Sequence, residues 1–154
     1  MGMSRTAAVA LGSNLGDRAA HLAYAVARLK SLLSDVAVST FIENPPEHGV
    51  PGPSFLNGVL VGRTDLSART LLAILLEIEQ ERGRERREAG APRTLDLDLV
   101  LLGDLVLDEP GLQVPHPRFR TRTFVLGPLA EVAPALTDPM TGGSIETLFT
   151  KLSR

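Results

Sequence analysis

Between residues 6 and 102 the hydrophobic period of the sequence switches repeatedly between that of a strand and that of a helix, and the order of the switches leaves few folds open. The run TAAVALG (6–12) is short, apolar and closed by glycine, which predicts a buried strand. Over 17–33 the residues Leu22, Val26, Leu29 and Leu33 recur at helical spacing behind the acidic Asp17, which predicts an amphipathic helix. VAVSTFIE (36–43) and FLNGVLVGRT (55–64) read as strands, 67–81 as a helix with Leu71, Leu75 and Ile78 on its inner stripe, and 95–102 as another strand. The order β-α-β-β-α-β is the split βαβ of a ferredoxin-like α+β fold, an antiparallel sheet covered by helices on one face. Beyond it lies VPHPRFRTRTFVLGPLAEVAP (114–134), to which no element is assigned, and a last helix is expected near 144–152. A chain of 154 residues with 44% apolar content fits one domain with its own core, residues 1–5 being expected to be disordered or a cloning remnant.

Two irregular stretches interrupt this pattern. NPPEHGVPGPS (44–54) holds four prolines and two glycines, which exclude regular structure, and loops of that length in small domains tend to bind or cover ligands. ERGRERREAGAPR (81–93) carries five of the sixteen basic residues: Arg82, Arg84, Arg86, Arg87 and Arg93. The net charge of −2 offers no overall attraction for nucleic acid or anionic lipid, so an anionic substrate has to be met by such a local cluster. The absence of cysteine removes disulfides and thiolate chemistry. No apolar run reaches membrane-spanning length and 1–6 is too short and polar for a signal peptide, so a cytoplasmic protein with no membrane or nucleic-acid partner is expected.

The strand TLDLDLVLLG (94–103) places Asp96 and Asp98 on one face, with Leu95, Leu97 and Leu99 turned to the other. Two adjacent carboxylates repel, and a hard divalent cation such as magnesium, which takes carboxylate and phosphate oxygens, resolves the conflict. A polar strand face paired with arginines satisfies the same pattern equally well. Arg82, Arg86 and Arg87 read as solvated surface, whereas Arg93 lies three residues before Asp96 and its planar guanidinium suits phosphate oxygens. LGSNLGDR (11–18) is a strand-to-helix turn in which Ser13 or Asn14 can cap and an anion can bind. His116 stands between two prolines and is followed by Arg118, Arg120 and Arg122, a setting that suits phosphate contact; His21 and His48 read as structural or exposed. Phe55 and Phe124, if not core residues, can sandwich a flat heterocycle while the Asn57 amide reads its edge.

Taken together, LGSNLGDR, NPPEHGVPGPSFLNGV, APRTLDLDLVLLG, VPHPRF and FVLGPLAEVAP resemble, in order and over about residues 7–150, the 6-hydroxymethyl-7,8-dihydropterin pyrophosphokinases of folate biosynthesis. The resemblance implies transfer of pyrophosphate from ATP to the pterin hydroxymethyl group with two magnesium ions, in a ferredoxin-like monomer. It implies that Asp96 and Asp98 bind metal and that Arg84 and Arg93 serve triphosphate binding and catalysis. It further places His116, Arg122 and Glu79 on the ATP side, and Asn44, Pro45, Pro46, Phe55, Asn57 and Phe124 around the pterin. A tryptophan–glycine pair common before the aspartate strand is replaced here by Ala89, Gly90 and Ala91. Two other classes remain compatible with the residues: a nucleotidyltransferase using the same aspartates, and a silent binding module on the same fold.

Overall fold

The computed structural model describes residues 4–84 and 92–154. Strand β1 (Arg5–Ser13) leads into helix α1 (Arg18–Lys30), followed by β2 (Ser34–Val38), β3 (Ile42–Asn44) and β4 (Phe55–Thr64). Helix α2 (Ala68–Glu81) and strand β5 (Asp96–Leu102) complete the expected order. The hairpin β6 (Leu107–Glu109) and β7 (Leu112–Val114) and helices α3 (Thr123–Val132) and α4 (Ile145–Leu152) follow. The main sheet runs β2-β4-β1-β5 with every pair antiparallel, and the short β3 extends the β2 edge along β4. The expected α+β, ferredoxin-like arrangement is therefore present.

Local chemistry explains the helix starts. Asp17 accepts from Ala20 N at 3.1 Å, Ser67 from Thr70 N at 3.1 Å and Ser144 from Thr147 N at 3.1 Å, each satisfying an orphan donor of a first turn. The expected first helix ends earlier, at Lys30, and the expected strand 36–43 is broken into β2 and β3. At the break Ser39 N bonds Val59 O and the Ser39 hydroxyl accepts from Val59 N, holding the edge together across the kink.

Sheet alternation sorts side chains into two cores. On the first face Val9, Leu11, Leu60, Leu97 and Leu99 pack under α1 and α2. On the second face Ala8, Val59, Val61, Val100 and Leu101 pack with Val125, Leu126 and Leu129 of α3 and Ile145 of α4. Helices thus cover both faces, not one. The unassigned stretch 114–134 contains the reason, because α3 carries Gly127 and Pro128 in its interior and shows no helical signature in sequence.

The second face is only half covered. Along β4 the same side carries Phe55 and Asn57, then Val59 and Val61; along β5 it carries Asp96 and Asp98, then Val100. A β-bulge at Val100, where Val9 pairs Leu99 and Ala8 pairs Leu101, turns Leu101 into the same core. The apolar half meets α3 and α4, and the polar half is left open. At the N-terminus Arg5 belongs to β1, paired with Thr64, and its guanidinium donates to Leu66 O at 3.3 Å.

Candidate active site

The open half of the second face is the floor of a cleft of about 460 Å³, within the usual range for small-molecule sites. Ala10 and Gly12 of β1, Phe55 and Asn57 of β4, and Asp96 and Asp98 of β5 form this floor. A Cβ on Gly12 would lie 2.8 Å from Asn57 Nδ2 and 3.4 Å from Phe55 Cδ1, so the missing side chain makes room for both. Pro45, Pro46, Glu47 and His48 line one wall, His116, Arg118, Arg122 and Phe124 another, and Arg84 and Arg93 close the end beside the aspartates. The structure therefore brings together eleven of the thirteen sequence-expected residues. Asn44 stands just behind, donating from Nδ2 to Asn57 Oδ1 at 3.2 Å and so fixing that amide.

Glu79, expected on the ATP side, stands behind Arg84 and not in the cleft wall. It is 3% exposed, does not line the cleft, and its Oε2 accepts from Arg84 Nη1 at 2.6 Å and from Leu97 N at 2.8 Å. Buried among these donors, it supports Arg84 and the start of β5.

The two aspartates differ in their surroundings. Asp96 Oδ1 accepts from Arg84 Nη1 at 2.9 Å and Oδ2 from Arg93 Nη1 at 3.1 Å. Both carboxylate oxygens of Asp96 are thus paired with arginines. Asp98 has no hydrogen-bond or ion-pair partner among the described residues; burial first, and the neighbouring Asp96 second, push its carboxyl up to about 7 against the pull of Arg122. An unpaired oxygen donor beside a second carboxylate in an open cleft fits a hard divalent cation. Arg84 Nε, buried and without a partner among the described residues, leaves an unused donor at the same spot.

Across the cleft, His116 N donates to Val100 O at 2.9 Å and His116 Nδ1 accepts from Arg118 N at 3.1 Å. Burial, with Arg122 and Arg118 nearby, lowers its pKa to about 4, so the ring is neutral near pH 7. With Nδ1 accepting, the ring proton sits on Nε2, making a neutral donor. Arg122 lies 5.5 Å over the Phe124 ring and forks onto Glu47, Nε to Oε2 at 3.2 Å and Nη2 to Oε1 at 2.9 Å. Arg120, grouped with its neighbours in sequence, does not line the cleft: its guanidinium binds the buried Asp138.

Sequence reasoning missed Glu47, His48 and Asn14 as lining residues. Glu47 meets Arg122 from 75 positions away, a pairing without a local sequence signal. A second depression of about 740 Å³ follows the free edge of β5 toward the β6–β7 hairpin and shares Asp98, His116, Arg118 and Arg122 with the cleft. The sequence readings of Arg86, Arg87 and Ala89 to Ala91 lie outside the described residues.

Comparison with known proteins adds independent findings. The profile of the family described as "7,8-dihydro-6-hydroxymethylpterin-pyrophosphokinase (HPPK)" matches residues 8–134. The chain is 42% identical over 145 residues to a 2-amino-4-hydroxy-6-hydroxymethyldihydropteridine pyrophosphokinase of Synechocystis, covering 93% of this chain and 74% of that one. A Bacillus subtilis protein of the same description is 40% identical over 132 residues, covering 84% and 79%. Among solved structures, an HPPK-DHPS in complex with substrates aligns with a TM-score of 0.76 at 13% identity. A Plasmodium falciparum HPPK-DHPS with pterin and p-hydrobenzoate aligns with 0.74 at 14%. This chain spans 43% and 45% of those two, and at such identity they speak for the fold alone.

Proposed function

Because the chain belongs to the 7,8-dihydro-6-hydroxymethylpterin-pyrophosphokinase family, we propose that the cleft on the open half of its sheet is where pyrophosphate passes from ATP to the pterin. The reaction of the family moves the β,γ-pyrophosphoryl group to the hydroxymethyl oxygen of 6-hydroxymethyl-7,8-dihydropterin, a step of folate biosynthesis, and leaves AMP. The observation that carries the assignment is the convergence, in one cleft, of an aromatic pair, an aspartate pair and a ring of arginines.

In this reading Phe55 and Phe124 stack on the two faces of the pterin while Asn57, oriented by Asn44, reads its edge and Pro45 and Pro46 border it. The triphosphate lies over β5, between Arg84 and Arg93 at one end and His116 and Arg122 at the other. The adenosine extends into the depression along the β5 edge, which is continuous with the cleft through Asp98, His116 and Arg122. Asp96 and Asp98 would hold magnesium, two ions in the family's manner, which when bound neutralises phosphate charge and polarises the phosphorus.

The chemistry needs positioning and charge compensation more than a covalent nucleophile. The hydroxymethyl oxygen forms a bond to the β-phosphorus and releases its proton to solvent, while the bond from that phosphorus to the α-phosphate oxygen breaks and AMP departs. Arg84 and Arg93 turn from Asp96 to the phosphate oxygens, and the neutral His116 donates from Nε2 without adding a charge. The working unit is taken as a monomeric, cytoplasmic, single pyrophosphokinase domain. No helix among the described residues is long and apolar enough to cross a membrane.

Incubation with ATP, magnesium and 6-hydroxymethyl-7,8-dihydropterin tests the reading. AMP and the pterin diphosphate are expected in equal amounts. Released inorganic pyrophosphate would point to nucleotidyl transfer, and lack of magnesium-dependent ATP binding to a silent module.

A further inference from the structure

The turn between β1 and α1 places one buried amide where the two sides of the cleft meet. Asn14 is 5% exposed. Its backbone N donates to Arg93 O at 3.0 Å, and its side-chain Oδ1 accepts from Arg93 N at 2.7 Å, so both main-chain polar groups of Arg93 are gripped by one residue. Its Nδ2 donates to Pro53 O at 3.2 Å, at the far end of the 45–54 loop. Next to that contact Arg18 Nη1 donates to Ser54 O at 3.0 Å, so the loop is fastened at this end as well as through Glu47 and Arg122. The network fixes the amide orientation without ambiguity, since Arg93 N can only donate and Pro53 O can only accept.

With its acceptor and one donor already engaged by protein, Asn14 has little capacity left for a ligand although it borders the cleft. We propose that Asn14 is a positioning residue for the transfer: it locks the main chain of Arg93, whose guanidinium reaches Asp96, to the loop that carries Pro45 and Pro46. The phosphate side and the pterin side of the cleft then keep one register. The inference rests on the reading of the cleft given above. Asparagine suits the task because a single planar group offers an acceptor in one direction and a donor in the other. Aspartate keeps the acceptor for Arg93 N and loses the donor for Pro53 O, which allows the two halves of the bridge to be separated.

Asn14→Ala and Asn14→Asp are compared with the unaltered protein by amide hydrogen exchange without ligands and by steady-state kinetics per folded molecule. In Asn14→Ala the Arg93 amide should lose protection, and kcat should fall roughly tenfold to a hundredfold, the size of effect that follows from small misplacement of a reacting group. ATP dissociation should change by less than about threefold, since transition-state positioning is lost and ground-state binding is not. In Asn14→Asp the Arg93 amide should stay protected and kcat should be largely retained, while KM for the pterin rises and protease cleavage near Pro53 increases. Normal kcat in a folded Asn14→Ala, or unchanged Arg93 protection, would overturn the proposal, as would an Asn14→Asp protein with unaltered pterin KM. Should Asn14→Ala melt too low to assay, Asn14→Asp alone decides. The exchange arm needs no substrate, so an unaltered protein that forms no AMP would refute the reaction, a result distinguishable from failure of the Asn14 bridge.

Discussion

Two carboxylates in this molecule, Asp138 and Asp98, sit in opposite states of compensation. Asp138, 0% exposed in the turn before α4, accepts from Arg120 Nε at 2.5 Å and Nη2 at 2.9 Å, from Met140 N at 3.0 Å and from the Thr141 hydroxyl at 2.8 Å. Although burial works against it, these donors hold its carboxyl down to about 2. Asp98 is half-buried with no such donor among the described residues, and its carboxyl is pushed up to about 7. The difference teaches where the fold has finished its own electrostatics and where it leaves charge for a ligand to complete. Arg120 and Arg122 repeat the contrast two residues apart: one is locked into the fold by Asp138, the other is held by Glu47, a cleft residue on a loop.

Breaking the finished site is expected to have the largest effect on stability. Asp138→Ala removes the partner of Arg120 and should cost about 3 to 5 kcal/mol, as loss of one member of a buried pair does. Chemical denaturation should show this loss while turnover per folded molecule stays close to normal. A large turnover defect in folded protein would place Asp138 in the active site and undo the contrast.

Next in size is the pterin side of the cleft. Phe124→Ala should weaken pterin binding by about 1 to 3 kcal/mol through lost stacking and burial, with ATP affinity nearly unchanged, as titration calorimetry can measure. Equal losses for both ligands would make Phe124 a core residue.

How much of this was legible in the sequence depends on how local each signal is. The stripe Leu71, Leu75, Ile78 behind the Ser67 cap marks α2 unmistakably, and the alternation around Asp96 and Asp98 correctly gave the face they share. Helix α3 was hidden by Gly127 and Pro128, and the three-residue strands β6 and β7 are too short to show a period. At the site, residue types that announce their chemistry were found: aspartates two apart, arginines in a cluster, aromatics beside loops. Partnerships were not. Glu47 with Arg122, Arg120 with Asp138 and Asn14 with Arg93 join positions far apart in the chain, and only the fold makes them neighbours. The same blindness hid that Glu79 stands behind Arg84.

Smaller effects should appear in the pH dependence of the ligand-free protein, with opposite signs for the two carboxylates. Asp138 is held below its ordinary value of 3.8, so its contribution is present above that pH and is lost as pH falls toward about 2. Asp98 is raised, so the folded state favours its proton, and that contribution is lost as pH rises from about 4 through about 7. Without magnesium or nucleotide, Asp98 should therefore contribute a decline in melting temperature between pH 5 and pH 8, opposed up to about pH 6.5 by His116, whose proton the folded state disfavours. Asp98→Asn should flatten the decline. An equal decline in that variant would assign it to another group.

The most direct test of the claim that Asp98 awaits a ligand is the melting temperature of ligand-free Asp98→Ala measured beside its turnover. Melting should stay unchanged or rise, because repulsion with Asp96 is relieved. Turnover should fall roughly a hundredfold to a thousandfold, or about 3 to 4 kcal/mol of transition-state stabilisation. A strongly destabilised variant that turns over normally per folded molecule would contradict the account and make Asp98 a structural carboxylate like Asp138.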